Sequence, residues 1–387
     1  MKRRTRPSRP GRWPLVGLAL IFAVLALFSG LDRASANRPG LAALVPSPFR
    51  SVAAVTTARR DLANEDAAGA VRASTQAIRS APIDYSAPAL LGTARLLKDD
   101  FARGDAAFRA AAAFGWRDPL TQLYWTDVSL NVGEPELAAM RADALLRANP
   151  ARRNAQEVLR RFEEDPSARR ALAERLALRP DWLQRFLSPE DLGAQPLSGR
   201  AAILTDPAMG DVPLGCARVA RLAVAMADRV DADTAEAVRM RHCPGAQSLY
   251  ALRDASFAGL DDWKDPDPLG WKAAESGSVT VRRELRDGHP VIVLNNDAPG
   301  ARALLEQPEW LAAGTVEAQW RVIEGAGDRF AVSLDCGQPR RPRFAPSQRQ
   351  RMDVPACQRQ RLSLWLAPGS GPVVIGDFAL SRVAAQR

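Results

Sequence analysis

Residues Trp13 to Leu31 carry no charge, and six basic side chains stand ahead of them: Lys2, Arg3, Arg4, Arg6, Arg9 and Arg12. An apolar stretch of this length crosses a bilayer as one helix. The basic cluster stays on the cytoplasmic side, so the rest of the chain is expected in the periplasm or beyond, held by a single pass through the inner membrane. That address argues against nucleic acid and cytosolic cofactors as partners. Ala34-Ser35-Ala36 has the small-x-small pattern of a cleavage site, so residues 1–36 read as an anchor or as a removable signal. Asp32 and Arg33 interrupt the run, and its length exceeds most signal cores, which favours the anchor. The pair Arg3-Arg4 lacks the surroundings of a twin-arginine signal and reads as topogenic charge.

The net charge of +9 is concentrated at the same end. Residues 1–36 hold seven basic side chains and one acidic one, leaving about +3 for the remainder, an ordinary balance for its size. Four lysines (Lys2, Lys98, Lys264 and Lys272) are set against a large excess of arginine. Beside the high alanine content, that bias reads as base composition rather than chemistry. The four cysteines, in an oxidising compartment, suggest two disulfides. Three connectivities are open on paper; sequence neighbourhood favours Cys216–Cys243 and Cys336–Cys357. A zinc site is the competing reading, but there is no CxxC spacing and only His242 and His289 are available.

Residues 37–50 are rich in Pro, Gly and Ala and are expected to be a linker between membrane and first domain. From about Val52 to Pro150 the pattern is helical, with prolines at 82, 119 and 150, spaced 37 and 31 residues apart. Ala70, Ala77 and Pro82 mark one unit. Leu91-Gly92, Ala106, Ala113 and Pro119 mark a second, and Gly133, Ala138, Leu145 and Pro150 a third. Small residues at these positions let two antiparallel helices approach closely, and proline is expected to end the second helix of each unit. This pattern resembles tetratricopeptide-repeat proteins, whose period is 34 residues, with most of the large aromatics missing. Ala155–Glu164, Ser167–Leu178 and Trp182–Leu187 continue the helical region, so residues 51–195 read as a repeat-like solenoid. Pro213–Arg229 and Thr234–Arg241 form an expected hairpin within residues 196–260, with one cysteine pair at its ends.

Beyond about residue 265 the periodicity becomes two. Val279, Val281 and Leu285 alternate, as do Val316, Ala318, Trp320 and Val322. Phe330, Val332, Leu334 and Cys336 follow, then Leu362, Leu364 and Leu366, then Phe378 and Leu380. Loops rich in Gly, Pro and Asp separate these runs, which predicts an antiparallel β-sandwich over 265–387. Phe257-Ala258-Gly259-Leu260, Pro268-Leu269-Gly270-Trp271 and the closing Val374–Leu380 resemble galactose-binding-like and carbohydrate-binding-module-like jelly rolls. The fold class is thus multidomain α + β: an N-terminal transmembrane helix, an α-helical solenoid like tetratricopeptide repeats, and a C-terminal antiparallel jelly-roll sandwich. Together these parts resemble a group of bacterial envelope proteins associated with exopolysaccharide production.

Signals of catalysis are sparse. There is no GxSxG, phosphate-binding glycine loop or HExxH, and two histidines leave little general-base capacity. His289 reads as a surface residue at a strand start, and His242 as a helix-terminal cation. Asp261, Asp262, Asp265 and Asp267, among Trp263, Pro266 and Pro268, read as an interdomain linker, with a cation loop or a carboxylate pair as alternatives. No cofactor or metal is expected. Trp320 alternates with core residues, whereas Trp365 is out of phase with Leu362, Leu364 and Leu366. Trp365 is therefore a candidate aromatic platform for a sugar; Trp271 resembles a domain-edge packing residue. Between the second pair of cysteines stand Arg340, Arg341, Arg343, Arg349 and Arg351, with Phe344 among them. Their guanidinium groups suit carboxylates or phosphates of an acidic polymer, although a solvated loop is the plainer reading.

These observations point to a non-enzymatic periplasmic scaffold anchored in the inner membrane. Its repeats would bind an envelope protein, and its sandwich a partner or polysaccharide. The alternative is a glycan-binding protein acting through the sandwich, with Trp365, Arg340, Arg341 and Arg343 as the ligand-binding residues.

Overall fold

The apolar run forms one helix, α1 (Trp13–Ala34), in the computed structural model, which describes residues 13–148, 152–261, 267–274, 277–338 and 340–383. The basic cluster ahead of Trp13, Pro150, and Asp262, Trp263 and Asp265 of the acidic group lie outside those residues. Leu15–Ala34 has a mean hydropathy of 2.3 and is, among the described residues, the one helix long and apolar enough to cross a membrane. Leu15, Leu18 and Phe22 are exposed, as a lipid-facing helix requires. Contacts along the chain divide it into two compact units, Met1–Val158 and Leu159–Arg387.

In the first unit α1 is followed by two 3₁₀ turns, Pro39–Leu44 and Ser47–Phe49. Residues 37–50 are therefore folded where composition suggested a loose linker: Ala42 and Val45 are buried with Ala53, and Leu31 and Phe49 pack against them. Apolar side chains at 42, 45 and 49 supply the burial that a solvated tether lacks. Six helices come next: α2 (Val52–Ala63), α3 (Ala67–Ser80), α4 (Ser86–Leu96), α5 (Phe101–Ala112), α6 (Pro119–Asn131) and α7 (Pro135–Arg147). α2 packs on α3, α4 on α5 and α6 on α7.

Small residues explain that pairing, in part at the expected positions: Ala70 and Ala77 are buried, whereas Ala106 and Ala113 are exposed and Ala107 and Ala111 are buried in their place. Ala54, Ala58, Ala73, Ala77 and Ala87 are buried in one cluster. A Cβ on Gly92 would stand 2.7 Å from the Phe108 ring, so only glycine lets α4 and α5 touch there. α3 stops at Ser80, just ahead of Pro82, but Pro119 acts differently from expectation, opening α6 instead of closing α5. Proline suits a first helical turn, where its missing N–H would have no helical partner. Asp118 caps the same turn, accepting from the Thr121 N–H at 2.7 Å.

The second unit begins within α8 (Arg152–Glu164) and continues through α9 (Pro166–Ala177), α10 (Leu183–Phe186), α11 (Ala194–Thr205), α12 (Cys216–Arg229) and α13 (Ala232–His242). A disulfide joins Cys216, at the start of α12, to Cys243, just past α13, with 5.0 Å between their Cα atoms. His242 is a correction: it is fully buried, its ring nitrogens 2.8 and 2.7 Å from the carbonyl oxygens of Val212 and Leu204. It ties the last turn of α11 and the loop after it to the hairpin, a role beyond that of a helix-terminal cation. At the centre of these helices Arg200 Nε stands 2.6 Å from Glu163 Oε1, both side chains only 2% exposed. Arg200 also donates to the Phe186 and Ser188 carbonyls. Burial pushes the Glu163 carboxyl above its usual range despite the pull of Arg200.

Among the described residues nine strands complete the unit: β1 (Lys272–Ala273), β2 (Val279–Arg286), β3 (His289–Asn296), β4 (Arg302–Glu309), β5 (Thr315–Glu324), β6 (Phe330–Cys336), β7 (Arg349–Asp353), β8 (Gln360–Leu366) and β9 (Val373–Arg382). They form two antiparallel sheets, ordered β1-β4-β8-β6 and β2-β3-β9-β5-β7. Leu304, Val332, Leu362 and Leu364 of the first share one buried core with Ile292, Val316, Trp320 and Ile375 of the second. Leu285 and Cys336 depart from the expected alternation and are exposed. Arg253 ties the segment after α13 to this sandwich. It donates to the carbonyls of Leu249, Leu269 and Pro308, and its Nη1 is 3.3 Å from Glu309 Oε2.

Two outcomes follow from this packing. A Cβ on Gly199 would stand 2.4 Å from the Glu163 carbonyl oxygen, a backbone atom that cannot turn aside. Gly199→Ala should therefore cost about 2 kcal/mol despite alanine's better helix propensity, read as a lower urea midpoint for the full chain in detergent. Neither oxygen of Glu309 accepts a well-aligned hydrogen bond. Burial, opposed by Arg253, pushes its carboxyl from 4.5 up to about 8. The folded state thus keeps a proton that the unfolded chain loses, so this contribution to stability is full below 4.5 and lost as pH rises through about 8. The urea midpoint should fall between pH 5.5 and 8.5, and Glu309→Gln should flatten that fall.

Candidate functional site: an arginine-lined cleft

β6 is an edge strand of one sheet and β7 an edge strand of the other, and the segment joining them crosses from sheet to sheet. A cleft of about 560 Å³ opens along this crossing. Arg340, Arg341, Arg343, Arg349 and Arg351 line it, with Asp335 and Asp353 as the acidic members. Behind it stand Trp320, Phe330 and Val332, which belong to the buried core of the sandwich. The indole N–H of Trp320 is buried and has no partner among the described residues.

Two devices hold the walls. Cys336, the last residue of β6, is joined to Cys357, with 6.1 Å between the Cα atoms. Closing a segment of this length favours the folded chain by about 3 kcal/mol in the loop-entropy account. Gln350 of β7 supplies the second. Its side-chain amide donates to the Val332 carbonyl and accepts from the Val332 N–H at 3.1 Å, so one glutamine satisfies both backbone groups of a β6 residue. Gln348 adds a similar tie, its side chain accepting from the Val322 N–H at 3.2 Å and its carbonyl from the Trp320 N–H at 3.1 Å.

The charges in the cleft are unbalanced. Arg351 pairs with Glu317 at 3.0 Å; hydrogen bonds from Arg351 and then Gln319 hold the Glu317 carboxyl below its usual range. Arg341 lies over the Phe344 ring, 5.8 Å from its centroid. Arg340 and Arg343 are exposed and have no carboxylate partner among the described residues. Asp335 is engaged by the Arg340 backbone N–H at 3.1 Å and Asp353 by the Thr315 hydroxyl at 2.9 Å. A second cleft of about 500 Å³, between α12 and the β4–β8 sheet, differs in this respect. There Arg359 pairs with Asp228 at 2.6 Å and Arg361 with Glu306 at 3.3 Å. Lys272 also lines the second cleft, and the first has the larger excess of positive charge.

The structure thus brings Arg340, Arg341 and Arg343 together and adds Arg349 and Arg351. It does not bring Trp365 to them. Trp365 does lie on the face of β8 opposite the core leucines, but it is 8% exposed and donates its indole N–H to Ser333 Oγ at 3.1 Å. An open aromatic platform is therefore corrected to a buried packing residue. Trp271 is likewise buried, against Phe257 and Phe378. Asp261 pairs with Arg283 at 2.8 Å and Asp267 accepts from the Leu269 N–H at 2.9 Å, both local ties. His289 is exposed at the start of β3. Among the described residues no group of three His, Cys, Asp or Glu side chains is placed to hold a metal. Sequence reasoning missed Gln348 and Gln350; their alternation with Arg349 and Arg351 is the one signal that could have found them. Compared with known protein families the chain matches none, and no curated protein matches it either.

Replacing Gln350 with leucine keeps its volume and removes both bonds to Val332. The Val332 amide should then exchange with solvent at least tenfold faster in hydrogen–deuterium exchange of the oxidised protein, while amides of β9 keep their rates.

Proposed function

We propose that this chain is a non-enzymatic scaffold held in the bacterial inner membrane by α1, with its bulk in the periplasm. Its helical hairpins, of the tetratricopeptide kind, take an envelope protein as partner. Its jelly-roll-like sandwich takes an acidic polymer of the kind handled in exopolysaccharide synthesis or export. The observation that carries the polymer part is the set of five arginines on one cleft whose walls are tied by Cys336–Cys357 and Gln350. Guanidinium forks pair with carboxylate or sulfate groups in two parallel hydrogen bonds. The two disulfides agree with an oxidising compartment.

The test uses full-length protein in detergent micelles, oxidised, with polygalacturonate as the acidic probe and dextran as the neutral one. Polygalacturonate should bind, dextran should not, and affinity should fall as salt is raised from 50 to 300 mM. Arg341→Ala with Arg343→Ala should weaken polygalacturonate binding at least tenfold without moving the urea midpoint. Equal binding of dextran, or an unchanged affinity in the double variant, overturns the assignment of this cleft.

A further inference from the structure

The join between α1 and the first helical pair is closed by a carboxylate. Asp32, directly after the apolar run, is 4% exposed. Its Oδ2 accepts from the Ser51 hydroxyl at 2.6 Å and the Val52 N–H at 3.1 Å, and its Oδ1 from the Ala53 N–H at 2.8 Å. The first turn of any helix leaves its N–H groups without partners in the helix itself. Ser51, at the capping position of α2, makes no side-chain cap. Asp32 caps α2 in its place, from another helix and 20 residues away. Apolar contacts surround this bond. Leu31 packs with Ala42, Val45 and Ala53, and the Phe28 ring lies 5.4 Å from that of Phe49.

These contacts fix a height. At 1.5 Å per residue, Phe28 lies about 9 Å before the C-terminal end of α1, and Phe49 is drawn down to its level. If α1 spans a membrane, that depth is the interfacial zone, where aromatic side chains collect. The flanking segment has the matching composition: Leu44 is 64% exposed, and Arg33 and Arg38 are exposed. An apolar residue among basic ones on short helical turns is how chains rest on lipid headgroups.

We infer that residues 33–50 form a folded seat on the lipid headgroups of the leaflet where α1 ends, locked by Asp32, so that the first helical pair stands at the bilayer surface. The inference rests on the membrane-spanning reading of α1. It also bears on the small-x-small pattern at Ala34-Ser35-Ala36. Ser35 is fully buried and donates to the Asp32 carbonyl, and cutting after Ala36 would remove the cap from α2.

All four cysteines are in disulfides, so a single added cysteine can be labelled. The full chain carrying Leu44→Cys with a bimane label is placed in phosphatidylethanolamine–phosphatidylglycerol vesicles. Headgroup nitroxide lipids should quench the label at least threefold more than in vesicles without them, and aqueous iodide should quench it weakly. Adding Asp32→Ala should raise iodide quenching at least twofold; Asp32→Asn, which keeps one acceptor oxygen, should fall between. Free quenching by iodide with no effect of nitroxide lipid, in protein that stays in the vesicle pellet after alkaline washing, overturns the seat and leaves the span standing. Release by alkaline washing overturns both. Unchanged iodide quenching in Asp32→Ala, with the label still at the headgroups, overturns the lock.

Discussion

Arginine side chains that donate to backbone carbonyls hold the second unit together. Arg253 gathers the carbonyls of Leu249, Leu269 and Pro308; Arg200 takes Phe186 and Ser188; Arg241 takes Thr205 and Gly210. Arg329 takes four from the turn between β8 and β9, those of Ala367, Gly369, Ser370 and Gly371. Loops leave carbonyls that no helix or ladder satisfies, and a planar group with five donors serves several at once. A lysine ammonium would present a compact charge with a larger hydration shell to lose. The arginine bias, which reads as base composition along the chain, therefore has a structural use at these positions.

The same chemistry separates the two clefts of the sandwich unit. Where arginine meets a carboxylate, as Arg359 does Asp228, charge is spent internally and joins helix to sheet. Where the wall is built by glutamine amides and a disulfide, the guanidinium groups of Arg340, Arg341 and Arg343 remain outward. Neutral ties do the holding, and the charges are left for something else.

What could be read from the chain follows from how local each signal is. Small-residue spacing across α2–α5 is a short-range pattern: Ala70, Ala77 and Gly92 are buried where it puts them, whereas Ala106 and Ala113 are exposed and Ala107 and Ala111 form the buried face of α5. The alternation of β5, β6 and β8 was equally plain. β3 was hidden because Val291, Ile292, Val293 and Leu294 are all buried, which erases a two-residue period. β4 was hidden because a bulge between Ala303 and Leu305 breaks its phase. The phase of Trp365 was legible but its burial was not, since burial depends on what lies over that face. The arginine cluster was visible as composition. Its assembly into a cleft was not, because Gln350 acts on Val332 across 18 residues and two sheets. Asp32 looked like an interruption of the apolar run; its acceptors' partners lie at Ser51, Val52 and Ala53, beyond any local window.

The glutamine bridge at Val332 also bears on how the protein behaves among copies of itself. A sandwich ends in edge strands whose free N–H and C=O groups can recruit a strand from another molecule and seed aggregates. β6 and β7 are such edges, and they lie side by side. Gln350 occupies the groups of Val332 that a foreign strand would take, and Arg349 and Arg351 put charge on the neighbouring positions of β7. The residues that build the cleft thereby also keep this rim from self-association, so its binding surface and its solubility are written in the same few side chains.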